Sequence, residues 1–114
     1  MPRLESFTIK LKTGENGRGD IPSFVFNGIP CQFEQVNGSA QSGEVMEGFF
    51  SPRSFTHSFI LRGPESGVWD IESTEVTYQV AGQEPYSVKF DGVQLDPSTD
   101  LNLWHEPPSE EFDV

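Results

Sequence analysis

Residues 5–12 read ESFTIKLK, and their alternation decides the fold class. Phe7, Ile9 and Leu11 fall on one side of an extended chain; Thr8, Lys10 and Lys12 fall on the other. A period of two, with one apolar and one wet side, marks a half-buried strand. The pattern returns at 55–61, where Phe55, His57, Phe59 and Leu61 share a side. It returns again with Val76, Tyr78 and Val80, and with Tyr86, Val88 and Phe90.

Shorter segments fill the intervals. SFVFNG (23–28) sets Phe24 and Phe26 on one face, and IPCQFEQV (29–36) reads as a third strand closed by Asn37-Gly38. NGSAQSGE (37–44) is a polar loop, EVMEGFF (44–50) a short strand, and Ser51-Pro52 its end. VWDI (68–71) leads into the strand at 76–80, and Asp91-Gly92 is a tight-turn signal across which VQL (93–95) is expected to pair back. LNLW (101–104) holds one last short strand. Eleven Gly and nine Pro supply the punctuation. No segment sustains a helical period. The expected fold is all-β: an antiparallel β-sandwich of seven to nine short strands. Residues 1–104 form one domain, and HEPPSEEFDV (105–114) is read as an acidic, proline-rich, flexible tail.

The chain has 114 residues, enough for one core without a metal or disulfide staple. Ten Phe, two Trp and two Tyr provide much of the core volume. Trp69 follows a glycine turn and opens an alternating strand, so it is expected inside. The single cysteine, Cys31, excludes an intrachain disulfide and reads as a small buried hydrophobe. Eighteen acids against seven bases give a net charge of −11. That balance argues against binding a nucleic-acid backbone and against direct attraction to anionic lipid without a bridging cation. It suits a basic partner or divalent cations. With no basic-then-apolar leader and no apolar run near the ~20 residues of a membrane helix, a cytoplasmic protein is expected.

Catalytic signatures are missing. His57 and His105 are the only histidines, and His57 lies between Phe55 and Phe59, where an interior role is expected. No phosphate loop, zinc spacing or nucleophile elbow occurs, so the chain is not read as an enzyme. The opening loop, TGENGRGD (13–20), invites three readings. It is a strand connection whose glycines supply positive φ angles. It contains Arg18-Gly19-Asp20, a tripeptide that engages integrins when it tips an exposed loop. It also offers oxygen ligands for calcium, which takes six to eight. Glu15, Asn16 and Asp20 alone are too few, so a site would need a carboxylate from another loop, with Asp70 and Asp91 the best placed.

The strand running into Thr13-Gly14, the polar loop ending in Asp20, and FVFNG together resemble the opening of a PLAT domain. LRGPESGVWDIESTEVTYQV resembles that family's middle at Gly67, Trp69, Val76 and Val80, and YSVKFDGVQL its closing strand at Phe90 and Leu95. The resemblance spans roughly residues 4 to 95. Ile21-Pro22 stands where the family carries small residues and Asp, and EVMEGFFSP has no counterpart. The resemblance implies a non-enzymatic β-sandwich that docks on a protein or lipid surface, sometimes through calcium; its calcium carry-over reaches Glu15, Asn16 and Asp20. Two other readings suit the same sequence: a small assembly subunit of oligomeric or virion type, or an acidic mimic occupying a nucleic-acid-binding protein.

Overall fold

A computed structural model describes residues 3–104, so the expected tail and His105 lie outside the described residues. It contains eleven strands: β1 (Arg3–Thr13), β2 (Phe24–Phe26), β3 (Ile29–Cys31), β4 (Gln35–Gly38), β5 (Val45–Phe50), β6 (Ser54–Phe55), β7 (Phe59–Leu61), β8 (Trp69–Val80), β9 (Tyr86–Phe90), β10 (Val93–Leu95) and β11 (Leu101–Asn102). There is no helix among the described residues, and therefore none long and apolar enough to cross a membrane. Two antiparallel sheets form the β-sandwich. One has seven strands, ordered β10-β8-β1-β5-β4, with β6 also pairing with β1 and β9 with β8; the other is β11-β7-β2-β3.

The ESFTIKLK alternation becomes the central strand. Phe7, Ile9 and Leu11 are buried, and Lys10 and Lys12 face solvent. The two sheets meet through phenylalanine. Phe7 of β1 contacts Phe59 of β7 with ring centres 4.3 Å apart, and Phe24 of β2 edge-on at 5.6 Å. Burying each such ring stabilises the fold by about 1.5–3 kcal/mol, so this aromatic seam is a main source of cohesion between the sheets.

β8 is one strand of twelve residues because a bulge lets it change face. Lys12 pairs with Ser73 but Thr13 pairs with Ile71, leaving Glu72 as the extra residue. Trp69 and Ile71 therefore point inward before the bulge, and Thr74, Val76, Tyr78 and Val80 after it. Strict alternation across this segment would have turned one half of it outward.

Four expectations are corrected. IPCQFEQV is not one strand. Asn27 and Gly28 have φ of 51° and 81°, the paired positive angles of a two-residue hairpin turn, and they fold β3 back onto β2. The chain then crosses to the other sheet as β4, with Phe33 packing on Phe24 at 4.7 Å.

The 55–61 alternation is broken as well. The Asn27 side chain donates to Phe55 O at 2.7 Å and accepts from His57 N at 2.8 Å and Ser58 N at 3.1 Å. That bracket bends the chain between β6 and β7. Phe55 and His57 are consequently exposed, and Thr56 is buried instead.

VQL does not pair back across Asp91-Gly92. Phe90 opposes Thr74 and Val93 opposes Ile71, so β9 and β10 run in line along β8. Asp91-Gly92 is a jog facing the Glu72–Ser73 bulge. A Cβ on Gly92 would lie 3.0 Å from Glu72 O, which keeps this position small. Finally, the strand count exceeds nine because the segments at 29–38 and 54–61 are each divided.

Candidate functional site

At the end of the sandwich where β1 stops, three loops converge: 14–23, 39–44 and 62–68. Backbone contacts lock them. Gly14 N donates to Asp70 O and Asp70 N to Asn16 O, both at 2.8 Å; Arg18 N donates to Ala40 O at 2.8 Å. Gly14, Gly17 and Gly19 do not take the positive φ expected of this loop. Gly17 is needed for close approach instead, since a Cβ there would collide with the backbone of Gln41 and Ser42. The polar loop at 37–44 is divided between β4 and a segment bound to the opening loop, with Gly43 N donating to Thr13 O and Gly14 O and Ser42 Oγ to Gly14 O.

Trp69 anchors this end from below. Its ring is fully buried, as expected, and Nε1 donates to Thr13 Oγ1 at 3.0 Å. Arg18 lies over that ring with its guanidinium 5.2 Å from the ring centre, a cation–π contact. Only 8% of the Arg18 side chain is exposed, and its fork grips Asp20 at 2.9 and 2.6 Å. Arg18-Gly19-Asp20 is thus closed on itself, with its arginine turned toward the protein.

The five residues considered for calcium fall in separate arrangements. Asp70 does meet the opening loop. Its Oδ2 accepts from Asn16 Nδ2 at 2.7 Å and Asn16 N at 3.1 Å, and its Oδ1 from Gln94 Nε2 at 2.7 Å. These bonds, Gln94 first and Asn16 next, hold its carboxyl below the usual carboxylate range. Asp20 is lowered too, chiefly by the Arg18 hydrogen bond. Glu15 is exposed on the loop, and Asp91 sits in the jog between β9 and β10. Among the described residues, no group of three or more His, Cys, Asp or Glu side chains is set to hold a metal.

Two features of this end had no clear local signal. Ile21 and Val68 are exposed aliphatics, 49% and 39% accessible, each next to a residue of the Arg18–Asp20–Trp69 assembly. Between the loops lies an open hollow of about 320 Å³ lined by Arg18, Asp20, Pro64 and Glu65. Arg18 carried a faint signal as the only base in an acidic, glycine-rich loop. Gln94 carried none.

A second depression, about 520 Å³, lies on the outer face of the large sheet. All three lysines of the chain, Lys10, Lys12 and Lys89, line it together with Glu72, Glu75 and Asp91. One row across the strands reads Glu47–Lys10–Glu75–Lys89, so charge alternates there in place of a run of carboxylates. Comparison with family models, curated proteins and solved structures gives no match.

Proposed function

We propose that this chain is a non-enzymatic interaction module, PLAT-like in architecture, that docks through its 14–23 and 62–68 loops on a basic protein surface. One observation carries the reading: Ile21 and Val68 stand exposed on loops held by Arg18, Trp69 and Asp70, within a rim bearing Glu15, Asp20 and Glu65. Exposed aliphatics on braced loops present apolar area without an ordering cost on binding. The carboxylates select a cationic partner and speed its approach. A bare anionic membrane is disfavoured, because the net charge is −11 and the arginine within the opening loop is tied to Asp20.

The test uses a Lys/Leu amphipathic peptide and phosphatidylserine vesicles as probes. The peptide is expected to bind, to bind at least about tenfold more weakly to the Ile21→Ser/Val68→Ser double variant, and to weaken with salt. Vesicles are expected to remain unbound without calcium. Vesicle capture without calcium, or peptide binding indifferent to both substitutions, would overturn the reading.

A further inference from the structure

We propose that two copies of this chain join edge to edge through β9, continuing the seven-stranded sheet across a two-fold axis at Val88. The inference begins with backbone pairing. β9 bonds to β8 on one side, and no strand among the described residues lies against residues 87–90 on the other. Such an edge is a template for another strand.

Of the remaining edges among the described residues, β6 and β10 are only two and three residues long, and β3, β11 and β4 are each less able to accept a strand. On β3, the Phe26–Ile29 pair closes the two-residue turn by mutual hydrogen bonds, so the next residue, Pro30, turns its nitrogen outward with no proton to donate. β11 is two residues long, and β4 ends on Gly38 at φ 82°. β9, with five residues, is the longest edge strand among the described residues.

The edge also carries apolar surface. Tyr86, Val88 and Phe90 face the core side but are only partly covered, whereas their neighbours on β8, Tyr78, Val76 and Thr74, are buried. A strand added at that edge would bring further side chains against these half-covered residues.

The order of residues then selects the occupant. An antiparallel copy of β9 centred on Val88 sets Val88 against the partner's Val88 and Tyr86 against the partner's Phe90. Lys89, the only charge on the strand, falls opposite the partner's Ser87. Apolar meets apolar, and no like charges face one another. Lys89 also lies 3.8 Å from Glu75, so this edge is locally neutral in a strongly acidic chain. The result is an isologous contact, closed at two copies.

The register makes a signed prediction. Ser87→Glu places a carboxylate opposite the partner's Lys89 twice over, and Ser87→Lys places an ammonium there. Both sites lie on the exposed outer face, and the substitutions at 87 give up only its hydroxyl bond to Thr77 at 2.8 Å. Sedimentation velocity is expected to show a wild-type dimer, weaker for Ser87→Lys and tighter for Ser87→Glu by about two- to thirtyfold in Kd. Tightening by Ser87→Glu runs against the added net repulsion, so only the register explains it. Should Ser87→Lys fail to fold, the Ser87→Lys/Lys89→Glu charge swap restores opposite charges across the axis and is expected to dimerise. A wild-type chain that stays monomeric up to about 1 mM, or variants that respond equally or in the opposite order, would overturn the proposal. Neither outcome bears on peptide binding by the loops.

Discussion

The Arg18 guanidinium lies over the buried ring of Trp69, 5.2 Å from its centre, and from there holds Asp20 with both arms of its fork. The contact joins the opening loop to the first residue of β8, and so ties the candidate docking surface to the core. Trp69 is the post on which that surface stands.

Trp69→Ala is therefore expected to cost about 3–5 kcal/mol, the usual loss for a buried large aromatic, measured by urea unfolding. It would also strand the Thr13 hydroxyl and release Arg18. Arg18→Ala should cost less and leave the fold intact, while proteolysis within 14–23 speeds up. A Trp69→Ala loss below about 1 kcal/mol would show that the ring contributes little to packing.

Acid should loosen this end before the core fails. Asp20 and Asp70 are held below their ordinary value of 3.8 by Arg18 and by Gln94 with Asn16. A carboxylate with a depressed folded pKa binds fewer protons folded than unfolded between its folded pKa and 3.8. Its stabilisation is present above that value and is lost as pH falls below it. Thermal midpoints should thus decline below about pH 4, and Asp70→Asn should flatten that limb. An unchanged acid limb in Asp70→Asn would refute the assignment.

Calcium is expected to have little effect. Asp70 has donors on both oxygens and Asp20 is gripped by Arg18, so a cation must displace existing bonds to gain ligands. At about 5 mM calcium the melting temperature should move by less than about one degree, since stabilisation follows RT ln(1 + L/Kd) and is close to zero when the ligand concentration L is well below Kd. A shift of several degrees, abolished by Asp20→Asn, would instead establish a site in this loop.

The large sheet was legible because its pattern is local. Alternation at 7–11, 76–80 and 86–90 reports which side each residue takes, whatever its neighbours. The 55–61 segment alternates equally well and misleads, because Asn27, far along the chain, captures its backbone. Asp91-Gly92 misleads for a related reason: the dipeptide suits a hairpin, but a bulge on β8 sets what it does. At the candidate site, the meeting of Asp70 with the opening loop followed from charge and loop position. The stacking of Arg18 on Trp69 spans 51 residues of sequence and leaves no periodic trace.

Asn27 allows a clean separation of backbone from side chain. Its φ of 51° favours Asn or Gly, and its amide makes three bonds to the 55–58 segment. Asn27→Gly keeps the turn and removes only the bracket. At about 0.5–1.5 kcal/mol per bond, it should lose roughly 2–4 kcal/mol. Asn27→Ala should lose more, because alanine resists positive φ. Equal losses in the two variants would show that the turn angle is not under strain.

Thr74 offers a substitution in the opposite direction. It lies on the core face of β8 just past the bulge, 2% exposed, and its Oγ1 has no hydrogen-bond partner among the described residues. The bulge is responsible: it turns position 74 inward, where the pairs with Leu11 and Phe90 surround it with carbon. A buried hydroxyl without a partner carries a desolvation cost of about 1–3 kcal/mol. Valine has the same branched shape and a strong strand preference, so it fits the site without a cavity. Thr74→Val is expected to raise stability by about 1 kcal/mol or more, read as a higher urea midpoint with an unchanged slope. A loss of stability would show that the hydroxyl is satisfied in solution, by a water held at the bulge.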